Sequence, residues 1–202
     1  MSRSRGQNRW IIVAMLFGIM FVLPTYAQSP ESNWEQKGIL ETGLYESPQF
    51  SNQVTWTEAW DVDVDGSLTD GNQLVDKISL NYENKGTAVI MFIKAGGEYP
   101  EDYARRLIRY RGVAEPTAEV VWTDSDEQTS LILYETIVDG RDVSSLIEIR
   151  LVDEETTLQV VELLLYPEYA ETVFESTQAD IAIDSEPPFW FVDEFPTEAL
   201  VD

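Results

Sequence analysis

The sequence predicts an α+β protein, a largely antiparallel sheet covered by two helices, and three observations lead there. Four apolar, partly alternating runs between Ala118 and Tyr166 are joined only by short polar turns, and connections that short permit only antiparallel neighbours. Two segments, opened by Pro100 and Pro167, carry helix-start signals. The 202 residues include no cysteine, so the fold must rest on core burial, and a four-strand meander has an apolar face that two helices can cover.

In chain order, residues 1–27 read as an export signal peptide. Arg3, Arg5 and Arg9 form a positive start, Trp10 to Leu23 is apolar apart from Gly18, and Thr25-Tyr26-Ala27 supplies the small residues a signal peptidase reads. The apolar run ends at Pro24, short of the roughly 20 residues a membrane-spanning helix needs, so cleavage is expected rather than a retained anchor. No cysteine is present to carry a lipid anchor. Residues 28–43 are polar and read as a flexible lead, and residues 44–202 as one domain with an aromatic C-terminal tail.

Within that domain, Tyr45 to Phe50 reads as a bend around Pro48. Val54 and Trp56, then Trp60, Val62 and Val64, alternate with polar residues and suggest a short antiparallel pair, followed by a polar loop from Gly66 to Asn72. Ile78, Leu80 and Tyr82 alternate again, Asn84-Lys85-Gly86 reads as a turn, and Ala88 to Ile93 suits a central strand buried on both faces. Pro100, Glu101 and Asp102 start a helix in accord with its dipole, arginines collect towards its far end, and Gly112 would lie just beyond it. Glu101 with Arg105 and Asp102 with Arg106 are spaced for i,i+4 pairing. Four strands follow, Ala118 to Thr123, Thr129 to Val138, Val143 to Val152 and Thr157 to Tyr166. A second helix runs from Pro167 to about Ala182, with Tyr169, Val173, Phe174 and Ile181 as its apolar stripe.

Composition narrows function mainly by exclusion. With 13 Lys+Arg against 37 Asp+Glu, the net charge is −24, and three of the arginines lie in the leader. Such a surface repels nucleic acid and anionic lipid headgroups, since both are bound largely by neutralising phosphates. After signal cleavage no membrane contact is expected, and mutual repulsion favours a monomer. Histidine is absent, which removes Ser-His-Asp chemistry, imidazole proton transfer and the common zinc, copper and non-haem iron sites.

The order of elements, together with Tyr45-x-x-Pro48-x-Phe50-x-x-x-Val54-x-Trp56, resembles the PsbP/Mog1-like α/β/α sandwiches, and most of all their exported bacterial members. The motif covers residues 45–60. The resemblance implies an accessory or binding role outside the cytoplasmic membrane, with an unidentified protein or small molecule as partner, and it transfers no site residues.

Three groups of residues are candidate sites. Asp61-x-Asp63-x-Asp65-Gly66 resembles the first half of a calcium loop, with Asp70 as a further ligand, but Asn72 stands where a bidentate Glu belongs; the other reading is the wet face of a strand end. If calcium is a cofactor here, the protein is a calcium-dependent envelope or matrix protein using the acidic loop 61–72. Arg105, Arg106, Arg109 and Arg111 could hold an acidic partner, or pair internally with the acidic surface. Phe189, Trp190 and Phe191 could form a contact surface, or fold back over an end of the sheet. A carboxylate-based hydrolase is a further alternative that composition permits, though no catalytic motif supports it.

Overall fold

A computed structural model describes residues 39–41, 43–70, 73–115, 117–138, 140–152 and 156–196. The expected signal peptide, most of the lead and the last six residues lie outside them. The described elements are β1 (Ile39–Glu41), β2 (Leu44–Glu46), β3 (Gln53–Trp56), β4 (Asp61–Asp70), β5 (Gln73–Tyr82), β6 (Gly86–Lys94), α1 (Pro100–Ala114), β7 (Glu119–Ser125), β8 (Thr129–Val138), β9 (Arg141–Val152), β10 (Thr157–Leu165), a 3₁₀ turn (Pro167–Tyr169), α2 (Ala170–Asp180) and β11 (Ile181–Ile183).

Seven strands form the main sheet in the order β4-β5-β6-β10-β9-β8-β7, and β1-β2-β3-β11 form a second, smaller sheet. Every neighbouring pair in both is antiparallel. The meander is β7 to β10, as the turn lengths require, and β10 returns to pair with β6 at the centre. Both central strands are buried almost throughout, so they lack alternation.

The helices do not share one face, as the meander alone suggested; each covers its own. Tyr103, Ala104, Leu107 and Ile108 of α1 pack with Val89, Met91, Ile132, Ile147, Ile149 and Val160. On the opposite face, Val173 and Phe174 of α2, with Tyr45 and Val54 of the small sheet, pack with Ile78, Leu80, Ile90, Phe92, Leu133, Leu146 and Leu163. The reason is the parity of β6 and β10, whose odd and even positions are both apolar, so either face left bare would expose side chains worth about 1.5–3 kcal/mol each.

Several boundaries differ from the sequence reading. Strands β3 and β4 are not a pair: β3 lies between β2 and β11, and the turn after Trp56 carries the chain into the main sheet, where β4 pairs with β5. Alternation marks a strand without naming its partner. Residues 39–41, read as part of the lead, add strand β1. Residues 66–70, read as loop, continue β4, with Gly66 opposite Lys77. Gly112 lies within α1. Ile181 leaves the helix and starts β11, because an extended residue after the last turn can still turn its side chain inward.

Two contacts fasten the layers. Asp76, on β5, accepts hydrogen bonds from Ser47 Oγ, from the Gln49 amide N–H at 2.9 Å and from Gln49 Nε2 at 3.0 Å. The bend around Pro48 is thereby held on the main sheet. The turn before β6 is made by Glu83 and Asn84, both with positive φ, one residue earlier than expected. Gly86 serves packing instead: a Cβ there would lie 2.6 Å from Val173 Cγ1 and 3.1 Å from the Leu164 carbonyl oxygen. Gly86→Ala is therefore expected to push α2 off the sheet and cost about 1–3 kcal/mol, read as a lowered melting midpoint in denaturant.

Candidate functional site

Among the described residues, two clusters place ionisable groups inside the fold, one sealed beneath α1 and one opening to the surface at the C-terminal segment. Beneath α1, the Arg111 guanidinium forms an ion pair with Glu162, with side-chain exposures of only 2% and 3%. Arg111 Nη1 also donates to Ser145 Oγ at 3.2 Å, and Ser145 Oγ donates to Glu162 Oε1 at 2.8 Å. The guanidinium carbon lies 4.6 Å from the centre of the Tyr134 ring. Burial works against the Arg111 charge, but the Glu162 carboxylate outweighs it and raises the pKa. Lys77 is buried on the same side of the sheet, and burial lowers its pKa despite the pull of Glu162 and Asp63. These groups have the chemistry for proton transfer, yet their burial leaves a substrate no approach. Their structural effect is to tie α1 to β9 and β10.

The second cluster begins at Glu148, buried mid-strand on the α2 face of β9. Its Oε2 accepts the Phe189 amide N–H at 2.7 Å. Its Oε1 lies 2.9 Å from Arg150 Nη2, a charge contact whose angle departs from a hydrogen bond. Arg150 Nη1 donates to Glu186 at 3.0 Å. Gln178 Nε2 donates to the carbonyls of Phe189 at 2.9 Å and Val192 at 2.8 Å. Phe189, with φ +56°, is 0% exposed, and its ring lies 5.9 Å from that of Phe174. Pinned on both sides, this backbone holds the next residue outward. Trp190 is 58% exposed and Phe191 37%, their rings edge to face at 5.6 Å, with Arg150 5.9 Å from the indole centre.

A shallow cleft of about 320 Å³ borders this segment, lined by Thr55, Trp56, Thr57, Pro187 and residues 178–182. Asp180 at its rim accepts from Thr57 Oγ1 at 3.0 Å and from Ser176 Oγ at 2.7 Å. Trp60 Nε1 in turn donates to Ser176 Oγ at 3.1 Å. Those bonds join the end of α2 to the β3–β4 turn.

Burial raises the pKa of Glu148, with Arg150 and the Phe189 N–H opposing it. A raised folded-state pKa means the native chain holds this proton more tightly than the unfolded one. Stability from Glu148 is therefore complete below the unfolded value of 4.5 and declines as pH rises through the higher folded value. Glu148→Gln is expected to remove that decline, visible as a flatter melting temperature against pH across the range just above 4.5.

The residues singled out from sequence are scattered. Asp61, Asp63, Asp65 and Asp70 lie along an extended strand, so residues 61–70 of the expected acidic loop are strand while Asn72 lies outside the described residues, and Asp61 and Asp70 are separated by about 30 Å of strand. One cation cannot be held by all four. Strand β4 is an edge of the main sheet and β7 is the other; both have a register irregularity, and exposed Asp61, Asp63, Glu119 and Asp124 line them. Bulges and charges on edge strands discourage pairing with another sheet, a structural use that the exposed Asp61 and Asp63 fit. Among the described residues no three carboxylates converge as a metal site.

The four arginines separate as well. Arg111 turns inward, whereas Arg105, Arg106 and Arg109 are exposed. Arg105 pairs with Glu101 at 2.6 Å as expected, and Arg106 pairs with Glu98, at 2.8 and 2.9 Å, rather than with Asp102. The aromatic triplet is split: Phe189 covers the core, whereas Trp190 and Phe191 face solvent. Glu148 and Glu162 are not among the residues that motif or spacing marks as candidates, yet each interrupts an apolar strand, Leu146-Ile147-Glu148-Ile149 and Val160-Val161-Glu162-Leu163, and that interruption is the available signal of a buried charge.

No described helix is long and apolar enough to cross a membrane. Comparison with protein-family models, with curated proteins and with solved structures finds no match.

Proposed function

We propose that this chain is an exported, non-enzymatic binding or accessory module of PsbP/Mog1-like architecture that meets its partner through Trp190 and Phe191. One observation carries the reading: Trp190 is more than half exposed while the backbone beneath it is held from both sides, by Glu148 at the Phe189 N–H and by Gln178 at the Phe189 carbonyl. An exposed indole on a pre-formed support loses little entropy on binding, and Trp and Arg are the residues that dominate interface energies. The leader-like residues 1–27 support export, and the enclosure of Arg111 and Glu162 supports a role without catalysis.

Because Trp190 is outward-facing, Trp190→Ala is expected to leave the melting temperature within a degree or two of wild type. Peptides selected from a displayed random library on the wild-type chain should lose most of their affinity for that variant. Selected peptides that bind the variant equally well would reject Trp190 as the contact.

A further inference from the structure

We infer that the partner segment received at Trp190 is cationic, a Lys- or Arg-bearing stretch of protein whose charged head lies on the exposed part of the indole while a neighbouring side chain enters the cleft at Pro187. The inference rests on the contact surface proposed above and adds the chemistry of its occupant. Three observations bear on it. From Glu186 to Glu194 the chain has three acids, Glu186, Asp193 and Glu194, all exposed, and no Lys or Arg. Arg150 is the cation beside Trp190, and it is already engaged by Glu148 and Glu186, so the surroundings of the indole remain net negative. Pro187, three residues before Trp190, borders the cleft, whose rim carries the Asp180 carboxylate.

An indole face attracts a cation through its quadrupole, and flanking carboxylates add to the attraction while repelling an acidic ligand. A second copy of this chain is the wrong occupant, since net charge −24 makes copies repel. A nucleic acid or an anionic lipid surface is repelled by the same carboxylates. A basic protein segment satisfies both the aromatic and the acidic parts of the surface.

The test uses the full chain and three capped hexapeptides of identical length, in which two lysines flank a leucine, or the lysines are replaced by glutamines, or by glutamates. Binding is followed through indole N–H resonances, with Trp190 assigned by comparison with Trp190→Ala. The lysine peptide is expected to shift the Trp190 resonance, and to bind Trp190→Ala roughly tenfold more weakly. Asp61→Asn with Asp63→Asn, on an edge strand separated from β9 by β5, β6 and β10, should leave its affinity unchanged. Glu186→Gln with Asp193→Asn and Glu194→Gln should weaken it and reduce its salt dependence. Equal affinity of the lysine peptide for wild type and Trp190→Ala would show attraction by bulk charge alone and overturn the inference. A glutamine peptide bound at Trp190 as tightly as the lysine peptide would overturn the cationic preference while leaving Trp190 a contact surface. Absence of any Trp190 shift with all three peptides would also overturn it, with the contact surface itself judged by the library selection.

Discussion

Replacing Glu162 with leucine is expected to destabilise the protein by about 3–5 kcal/mol, because Arg111 is left charged, buried and unpaired beneath α1. For a domain of this size the melting temperature should fall by roughly 10 °C. The double variant Arg111→Met with Glu162→Leu should recover most of that loss, since an apolar pair of similar volume can replace a buried ion pair at little net cost. Hydrogen exchange should place the damage of the single variant in Pro100–Ala114, the helix that Arg111 ties to Ser145 and Glu162. If the single and double variants were equally unstable, volume and not charge would govern the site, and the assignment would fail.

Phe189→Ala has an expected cost of similar size, about 3–5 kcal/mol, as the ring is fully buried against Phe174. Its second effect separates it from an ordinary core truncation. Phe189 is the residue whose N–H and carbonyl are held by Glu148 and Gln178, so losing the ring removes the apolar anchor directly beneath Trp190 and leaves the segment to those bonds, the Gln178 bond to the Val192 carbonyl and the buried Phe195 further on. Limited proteolysis should then cut between Pro188 and Phe195 well before the remainder of the domain, whereas Trp190→Ala should leave that segment resistant. A Phe189→Ala variant that melts like wild type would show that the ring does not anchor the tail.

The contrast between these two sites bears on what sequence pattern can reveal. Turn chemistry and apolar runs located β8, β9 and β10 to within two residues at each end, because short connections leave antiparallel pairing as the one geometry available. Pro100 likewise marked the first residue of α1, where its missing N–H is harmless. The partner of β3 was not legible, since alternation gives a strand its two faces but no neighbour. Nor was the inward turn of Arg111, which from sequence is one of four arginines on a helix and in the fold is the one aligned with Glu162, 51 positions away.

By itself the sequence determined the local elements of this protein and the sign of its surface, because helix starts, tight turns and net charge depend on residues close together or on a simple count. Tertiary structure alone decided that the main sheet is roofed on opposite faces, that Glu148 and Glu162 each find a cation, and that Trp190 stands out while Phe189 goes in. The physical reason is that burial and ion pairing are set by contacts between distant segments, and such contacts exist only once the chain has closed on itself.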